Sequence, residues 1–303
     1  MYKKLCLAIL LSLLSVQAWT QEYPPDIDEG EQAWSQEHPP DIQEKEQART
    51  QEYPPDIQKI MDRKKMIVAM YVNDIPPFYM HDEKGKFYGL DVELAQDIAE
   101  KLGVEVEFKR DYKTFSEIVE GVAGHEADLA ITLLSRTLDR AKKVRFTKPY
   151  IILRQGLLIS RIRIARRERE LTLMEILNNP NSEIGVKAGT SYVAFAKQRF
   201  PLARIREYPE WDPDIISAVL KGEVIAAFHD EIEIKKVVIG KPETALHLQT
   251  VVLKDTEDPI SMAVPWDSVQ LLSWLELYLE TADLNWTTDK LLKKYSKSVQ
   301  KEN

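Results

Sequence analysis

Residues 128–150 read DLAITLLSRTLDRAKKVRFTKPY and combine an apolar run, a polar cluster and a basic stretch. The apolar run at residues 129–131 predicts a short buried strand. Ser135, Arg136 and Arg140 follow this strand, so they would lie at the carboxyl edge of a sheet, where open α/β folds bind ligands. An arginine there offers a planar fork of donors that fits a carboxylate. A solvated helix start is the alternative interpretation of both arginines, and we favour it for Arg136 only.

The segment resembles a pattern of the periplasmic amino-acid-binding proteins of ABC importers, the family 3 extracellular solute-binding proteins. That pattern has a strand starting at Asp, a few residues whose backbone contacts the ligand, T-x-x-R, and then F-[ST]-x-P-Y. This sequence supplies TLDR at residues 137–140 and FTKPY at residues 146–150. The resemblance extends over roughly residues 58–295 and implies an α/β protein built from two lobes.

The resemblance implies the periplasmic-binding-protein fold, in which each lobe is a mixed, mostly parallel sheet flanked by helices and two hinge crossovers join the lobes. Residues 58–155 and 259–303 are expected to form lobe 1, and residues 156–258 lobe 2. The sequence GLDVELA at residues 89–95 resembles another signature of the family. We interpret Asp91 in it as the N-cap of a helix, because Asp is a preferred N-cap residue.

The amino terminus has the features of an export signal. Residues 1–18 combine a basic start, a short apolar core and a small-residue cleavage site, so we expect a Sec signal peptide that is cleaved at its end. Residues 19–57 follow as a linker that is rich in Pro, Gln and Glu. This linker contains three copies of a 15-residue unit, which begin at Gln21, Gln36 and Gln51. We interpret the copies as a semi-rigid spacer, with a peptide ligand for a partner protein as the alternative.

Composition and charge exclude several classes of protein. The net charge of −8 argues against nucleic acid as a partner, because binding to a phosphate backbone needs a basic face. The single cysteine, Cys6, falls in the expected signal peptide, which excludes a disulfide framework and a cysteine metal site. The five histidines show no metal-ligand spacing, so we expect neither a metal nor a cofactor.

The resemblance implies that ligand contacts come from both lobes. Arg140 of lobe 1 would hold a ligand carboxylate together with Thr190, Ser191 and Tyr192, which start a helix in lobe 2. A helix N-terminus presents unpaired N–H groups and therefore favours an anion. Asp230, directly after a buried strand, would pair with the ammonium group of the ligand. Capping of the following helix is the alternative for Asp230, and we favour the ligand role.

Four further positions match places that face the ligand in the family. Ser135 stands at the place of a hydroxyl residue. Leu133 stands where glycine is frequent, so its carbonyl can accept from a ligand amine while its side chain changes the shape of the pocket. Ile75 replaces an aromatic or polar group and removes a stacking partner. Phe115 fits equally well as a core residue and as a wall against the ligand side chain.

The function implied by the resemblance is that of an extracytoplasmic receptor. It would bind a polar amino acid between its lobes and deliver it to an ABC permease at the inner membrane. We expect a periplasmic monomer without enzymatic activity. Two alternatives stay open: a solute sensor for a membrane receptor, and a cyclohexadienyl-dehydratase-like lyase for prephenate or arogenate. The lyase would need a carboxylic acid with a raised pKa in the cleft, and the sequence shows no dedicated acid–base pair.

Overall fold

A computed structural model describes residues 52–166 and 171–295 of the chain. The expected signal peptide and the first two repeat copies lie outside the described residues. Within the two described ranges, no helix combines the length and the apolar character that a membrane crossing requires. The same ranges contain no cluster of His, Cys, Asp and Glu side chains suited to a metal ion.

The first part of the chain alternates strands and helices. Its elements are α1 (Pro55–Arg63), β1 (Lys65–Tyr71), β2 (Met80–His81), β3 (Phe87–Tyr88), α2 (Leu90–Leu102), β4 (Glu105–Tyr112), α3 (Phe115–Ala123), β5 (Leu129–Ala130) and β6 (Val144–Leu153). The predicted apolar strand at residues 129–131 is present as β5, which ends one residue earlier. Gly103 ends α2 with a φ of 72°, a left-handed conformation that glycine adopts without strain.

The rest of the chain continues the alternation and then returns to the first sheet. Its elements are β7 (Gln155–Ser160), α4 (Arg161–Ala165), α5 (Leu173–Leu177), β8 (Glu183–Lys187), α6 (Tyr192–Arg199), β9 (Arg204–Tyr208), α7 (Ile216–Lys221), β10 (Ala226–Asp230), α8 (Glu231–Gly240), β11 (Leu248–Val252), β12 (Asp258–Pro265), α9 (Val269–Thr281) and α10 (Thr288–Lys294). A π-helical turn, Trp211–Ile215, precedes α7.

Two five-stranded sheets form the two lobes. The first has the strand order β4-β1-β5-β12-β6, and the second has the order β11-β7-β10-β8-β9. Strand β1 runs parallel to β4 and β5, while β12 runs antiparallel to β5 and β6. In the second sheet β8 runs parallel to β9 and β10, and β7 runs antiparallel to β10 and β11. Both sheets are therefore mixed, as the resemblance implied, but each has two parallel and two antiparallel pairings and is not mostly parallel.

Apolar faces of helices and strands build a separate core in each lobe. In lobe 1, Val68 of β1 and Met262 of β12 pack with Ile98 of α2, and all three side chains are fully buried. In lobe 2, Ile184 of β8 and Phe228 of β10 are buried in the same way. The strand residues belong to short apolar runs, and Ile98 belongs to the apolar face of its helix.

The third repeat copy enters the fold of lobe 1. Helix α1 begins at Pro55, inside the segment that we predicted to be linker, and it buries Ile57 and Ile60. The Oδ2 atom of Asp56 accepts from the backbone N–H groups of Gln270 at 2.8 Å and Leu271 at 2.9 Å. Asp56 thus caps α9, whose own N-cap residue makes no side-chain cap hydrogen bond. The copy is part of the domain because these residues find partners there.

The two crossovers between the sheets run side by side. The backbone N–H of Gln155 donates to Thr256 Oγ1 at 3.0 Å, and the N–H of Leu253 donates to the carbonyl of Gln155 at 2.9 Å. These bonds tie the first crossover to the second. The pair of crossovers therefore forms the floor between the lobes, at the start of β12.

Candidate functional site

A cavity of about 550 Å³ opens between the two sheets. Its walls come from loops at the carboxyl ends of strands in both lobes, the position that open α/β sheets favour for ligands. The cavity is lined by every residue that the sequence predicted for the ligand site: Ile75, Phe115, Leu133, Ser135, Arg140, Thr190, Ser191, Tyr192 and Asp230. The structure brings these residues together, and their roles toward a ligand stay predictions.

Arg140 lies on the lobe 1 side of the cavity. Its Nη1 atom donates to the carbonyl oxygen of Ser135 at 2.8 Å, and its guanidinium carbon lies 5.7 Å from the centre of the Phe115 ring. Burial lowers the pKa of Arg140 from its ordinary value, and the charges of Asp258 and Asp139 oppose that shift. The guanidinium is therefore a cation in a partly dry environment, where an anionic partner is favoured.

Ser135 connects the two lobes. Its hydroxyl oxygen lies 2.8 Å from the hydroxyl oxygen of Ser191 in lobe 2. The segment around Ser135 is tied to β12, because the N–H of Arg136 donates to the carbonyl of Pro259 at 2.9 Å. Ser135 is buried and held in place, so it presents both its carbonyl and its hydroxyl at a defined position on the cavity wall.

The turn before α6 offers unused backbone donors. Gly189 has a φ of 72°, and Thr190 Oγ1 donates to the carbonyl of Lys187 at 2.8 Å. Within the described part of the chain, no protein group accepts from the backbone N–H groups of Thr190 and Ser191. Helix starts leave such N–H groups unpaired, and the helix dipole adds positive potential. This side of the cavity therefore suits an anion, as the sequence predicted.

Leu133 adopts a backbone conformation that explains why glycine is frequent at this place in the family. Its φ is 51°, in the left-handed region, where a side chain is strained. The backbone N–H of Leu133 donates to Asp91 Oδ2 at 2.8 Å, and the hydroxyl of Tyr150 donates to Asp91 Oδ1 at 2.9 Å. Asp91 therefore holds the strained turn in place.

The prediction that Asp91 is a helix N-cap is wrong. The N-cap of α2 is Gly89, and it makes no side-chain cap hydrogen bond. Asp91 lies inside the helix, and its fully buried carboxyl group faces Leu133 and Tyr150 instead of the helix start. Burial raises the pKa of Asp91 to about 7, although the hydrogen bonds from Tyr150 and Leu133 act in the opposite direction.

Asp230 is the N-cap of α8, which is the role that we did not favour for it from the sequence. Its Oδ1 atom accepts from the N–H groups of Ile232 at 2.8 Å and Glu233 at 2.9 Å, at the start of α8. Its Oδ2 atom lies 2.8 Å from His229 Nδ1. Burial works against ionisation of Asp230, but the imidazole and the backbone donors outweigh it and hold its pKa below the ordinary range. Asp230 also lines the cavity, so its predicted ligand role stays a prediction beside the observed cap.

Asp258 is a cavity residue that the sequence reasoning missed. Its Oδ2 atom accepts from Ser135 Oγ at 3.1 Å and from the Tyr192 hydroxyl at 2.9 Å. Burial raises the pKa of Asp258 to about 6, while Tyr192, Ser135 and Arg140 lower it and Asp230 raises it further. The signal in the sequence was weak, because Asp258 starts a strand in the second crossover and belongs to no motif that we used.

Aromatic side chains form two walls of the cavity. In lobe 1 the rings of Tyr71 and Phe115 stack with centres 5.5 Å apart. In lobe 2 the His229 ring stacks on Tyr192 at 4.6 Å and meets the edge of Trp211 at 5.0 Å. The sequence analysis named Phe115 and Tyr192 for the site, but it named neither His229 nor Trp211. Such walls suit the apolar part of an amphipathic ligand.

The rim of the cavity carries charges that are already paired. Lys187 Nζ lies 3.0 Å from Glu210, Lys241 Nζ lies 2.7 Å from Asp212, and Lys236 Nζ lies 3.1 Å from Glu233. Arg110 Nη2 lies 2.8 Å from Asp74 in the same way. The three more exposed pairs contribute little to stability, whereas Lys236 and Glu233 are largely buried, and all four pairs balance the charge of their acids. The unbalanced charges therefore lie deeper in the cavity.

Two curated relatives show partial similarity to the chain. The L-cystine-binding protein of Escherichia coli is 25% identical over 174 residues, which are 57% of this chain and 62% of that protein. The arginine-binding periplasmic protein of Mannheimia haemolytica is 26% identical over 155 residues, which are 51% of this chain and 59% of that protein. The chain thus matches less than two thirds of the length of either relative.

A solved structure shows similarity over most of the described fold. It is that of an ancestral amino-acid-binding protein described as a precursor of cyclohexadienyl dehydratase. It has 27% sequence identity and a TM-score of 0.62, and the match covers 79% of this chain and 98% of that chain. The predicted two-lobed α/β fold is confirmed. A family model for bacterial extracellular solute-binding proteins, family 3, matches residues 67–298. With its fold and its cleft, this chain therefore belongs to the family 3 bacterial extracellular solute-binding proteins.

Proposed function

We propose that this protein is an extracytoplasmic solute receptor that binds a polar amino acid in its cleft and delivers it to an ABC permease at the inner membrane. The observation that carries the proposal is the environment of Arg140. Its guanidinium lines the cavity, and among the described residues no carboxylate oxygen lies within the 4.0 Å that defines an ion pair with it. A partly buried arginine without a protein carboxylate is suited to the carboxylate of a ligand.

The head group of an amino acid fits the charges on the cavity floor. Arg140 and the N–H groups of Thr190 and Ser191 would hold the α-carboxylate. The acids Asp230 and Asp258 would balance the α-ammonium. A charge pair at about 4 Å contributes roughly 1 kcal/mol in water and roughly 4 kcal/mol at an effective dielectric constant of 20. These pairs would therefore strengthen when the cleft closes and excludes water.

Ligand binding would couple to closure of the lobes. Arg140 belongs to lobe 1, while Thr190 and Ser191 belong to lobe 2, so a single carboxylate can touch both lobes only when they are close. A ligand with more contacts in the closed state shifts the population toward that state. The paired crossovers at Gln155 and Thr256 are the natural hinge, because they are the connections between the sheets. The permease would recognise the closed form.

The nature of the cavity walls supports a polar side chain on the ligand. The stacked rings of Tyr71 and Phe115 and the edge of Trp211 would cover its aliphatic part. Beyond them, the exposed carboxylates of Asp74 and Asp212 give the rim polar acceptors. The relatives named for cystine and arginine are consistent with this choice.

The setting of the receptor follows from the amino-terminal sequence. Residues 1–18 have the pattern of a Sec signal peptide, so we infer export to the periplasm, where such receptors meet their permeases. We further propose that the protein acts as a monomer, since both lobes that line the cleft belong to the same chain.

A thermal-shift screen of the purified protein against the common amino acids and cystine tests the proposal. A ligand at about a hundredfold excess over its Kd stabilises the folded state by roughly 2.7 kcal/mol. We expect a clear rise in Tm for one or a few polar amino acids, and loss of that rise in Arg140→Ala. The matched control is Arg136→Ala, because Arg136 is exposed and outside the cavity. A folded protein that responds to no amino acid would overturn the proposal.

A second candidate function has one specific observation in its favour. The pKa of Asp258 is raised to about 6, which is the property that a carboxylic acid needs to act as a proton donor in the cleft. A lyase for prephenate or arogenate would use it to protonate the leaving hydroxyl group while the ring carboxylate departs as carbon dioxide. Formation of phenylpyruvate from prephenate, measured by absorbance and lost in Asp258→Asn, would support this candidate. Absence of product would exclude it for prephenate.

A further inference from the structure

Helix α8 starts at the boundary between the two lobes. Two of its later residues, Ile234 and Val237, pack with Leu158 of β7 in the core of lobe 2. Its second residue, Ile232, is fully buried in the core of lobe 1 instead, the core that also contains Leu291 of α10. The first turn of α8 therefore contacts lobe 1, while the body of the helix belongs to lobe 2.

Glu231, the first residue of α8, makes this contact polar as well. Its side chain is buried, and its Oε1 atom accepts from the Thr288 hydroxyl at 2.6 Å. Its backbone N–H donates to the carbonyl of Arg154 at 2.9 Å, and the N–H of Arg154 donates to Glu231 Oε1 at 3.3 Å. Glu231 therefore joins α8 to α10 and to the start of the first crossover.

Lys235 extends the contact by one turn of α8. Its Nζ atom lies 3.2 Å from Glu231 Oε2 and 3.2 Å from Asp289 Oδ1. The Asp289 side chain is exposed, and exposed ion pairs contribute little to stability. The Thr288 side chain is buried, and a hydrogen bond to a carboxylate is stronger than one between neutral groups. The bond from Thr288 to Glu231 is therefore the main part of the contact.

Helix α10 is anchored in lobe 1 at its other end. Leu291 is fully buried in the core of lobe 1. Tyr295 follows the helix, and its hydroxyl donates to Glu93 Oε1 of α2 at 2.9 Å. Lobe 1 thus holds α10, and the first residues of the helix reach across to α8. A rotation of lobe 2 that displaces the start of α8 has to break the bond to Thr288.

We propose that α10 is a strap that restrains opening of the cleft, with the hydrogen bond from Thr288 to Glu231 as its attachment. The strap is a connection between the lobes in addition to the two crossovers. Neither Glu231 nor Thr288 is among the residues that line the cavity, so the strap acts on the equilibrium between the closed and the open form without touching a ligand. This inference goes beyond the proposed function and holds whichever solute binds.

The distance between two spin labels measures closure of the ligand-free protein. The single cysteine, Cys6, falls in the expected signal peptide, so Lys84→Cys and Gln198→Cys together place one label on each lobe. Both side chains are exposed, Lys84 between β2 and β3 and Gln198 on α6. Double electron–electron resonance then gives the ratio of closed to open molecules.

The strap is tested in this labelled protein with variants of Thr288. We expect Thr288→Val to lower the closed-to-open ratio by at least about tenfold, as for loss of a hydrogen bond to a charged group. Thr288→Ser keeps the hydroxyl and should keep the ratio of the parent protein. Thr281→Val is the matched control, because the Thr281 hydroxyl donates only to carbonyls within α9.

Three results would overturn the inference. They are an unchanged ratio in Thr288→Val, an equal decrease in Thr281→Val, and a ligand-free parent protein without closed molecules. A fall of the ratio in Thr288→Val alone, with recovery in Thr288→Ser, supports the strap.

A second variant decides the question if Thr288→Val does not fold. Asp289→Lys changes an exposed side chain and places a cation opposite Lys235. We expect it to lower the closed-to-open ratio by about twofold or more, because like charges repel. Asp283→Lys makes the same change of net charge at an exposed residue ahead of α10 and is the control. Equal ratios in these two variants would overturn the inference.

Discussion

The hydroxyl oxygens of Ser135 and Ser191 lie 2.8 Å apart and join the two lobes inside the cleft. Ser135 belongs to the segment after β5, and Ser191 precedes α6, so this hydrogen bond exists only when the lobes are close. The contact lies beside Arg140, at the place where a ligand carboxylate would bind. The described structure is therefore a closed arrangement of the cleft.

The first prediction follows from this contact. Replacement Ser191→Ala removes the hydrogen bond and should shift the ligand-free protein toward an open form, because a side-chain hydrogen bond contributes about 1 kcal/mol. Small-angle X-ray scattering should then give a larger radius of gyration than for the wild type. Ser273→Ala is the control, since the Ser273 hydroxyl bonds only within α9. Identical scattering curves for all three proteins would show that the contact does not hold the lobes.

The second prediction concerns the third repeat copy. Asp56 caps α9 through two backbone N–H groups, so Asp56→Ala should lower the free energy of unfolding by about 0.5–2 kcal/mol in a denaturant titration. Asp41 is the matching residue of the second copy. At the position where the third copy has the buried Ile60, the second copy has Lys45. Asp41→Ala should therefore leave stability unchanged. An equal loss in both variants would mean that the second copy also contributes to the fold.

The third prediction is a pH effect on stability. The pKa of Asp91 rises from an ordinary value of 3.8 to about 7 in the fold. Below its ordinary pKa the Asp91 carboxyl group is protonated in both the folded and the unfolded state. As the pH rises toward 7, this group ionises first in the unfolded chain, so the free energy of unfolding falls by up to roughly 4 kcal/mol. Asp91→Asn should remove this loss and stabilise the protein at neutral pH. Unfolding curves between acid and neutral pH measure it.

Asp97→Asn is the control for the pH experiment. Asp97 lies on the same helix, and its hydrogen bonds from Lys101 and Tyr278 hold its pKa below the ordinary range. Asp97→Asn should lower the free energy of unfolding at neutral pH. It should leave the decline of that free energy between acid and neutral pH as steep as in the wild type. If Asp91→Asn declines with pH as steeply as the wild type, Asp91 is not the group responsible.

The fourth prediction is a pH effect on binding. Asp258 can balance the charge of an ammonium group only when it is ionised, and burial raises its pKa to about 6. Affinity for an amino acid should therefore rise with pH below this value, by up to about tenfold for each pH unit, and level off above it. The groups around Asp258 are Arg140, Asp230 and the Tyr192 hydroxyl. Asp258→Asn should give a flat profile, and a profile that persists in the variant would assign the effect to a group other than Asp258.

Local patterns were sufficient to predict most of the architecture. The apolar run at residues 129–131 predicted a strand that is present, and Thr114 and Thr172, which are of a residue type preferred at N-caps, cap helix starts in the structure. The positions of Arg140 and Ser191 on the cavity wall were also predictable, because both occupy short motifs whose order along the chain places them at strand ends. All of these features depend on residues that are near one another in the sequence.

The roles of the buried acids Asp91 and Asp258 depended on contacts that the sequence does not display. Asp91 had the type and position of a helix cap, but its side chain points to Leu133 and Tyr150, which are distant in the chain. The acceptor position of Asp258 arises only when Ser135, Tyr192 and the second crossover meet. Such roles depend on which groups lie next to a buried carboxylate in the folded protein. Residues that are distant in the sequence supply those groups.

Calorimetric titration of the purified protein with individual polar amino acids, arginine, glutamine and cystine among them, tests the receptor function most directly. The proposed function predicts one-to-one binding of at least one of them, with the heat signal abolished in Arg140→Ala and retained in Arg136→Ala. Absence of binding to every amino acid by the folded protein, or binding that survives Arg140→Ala unchanged, would contradict it.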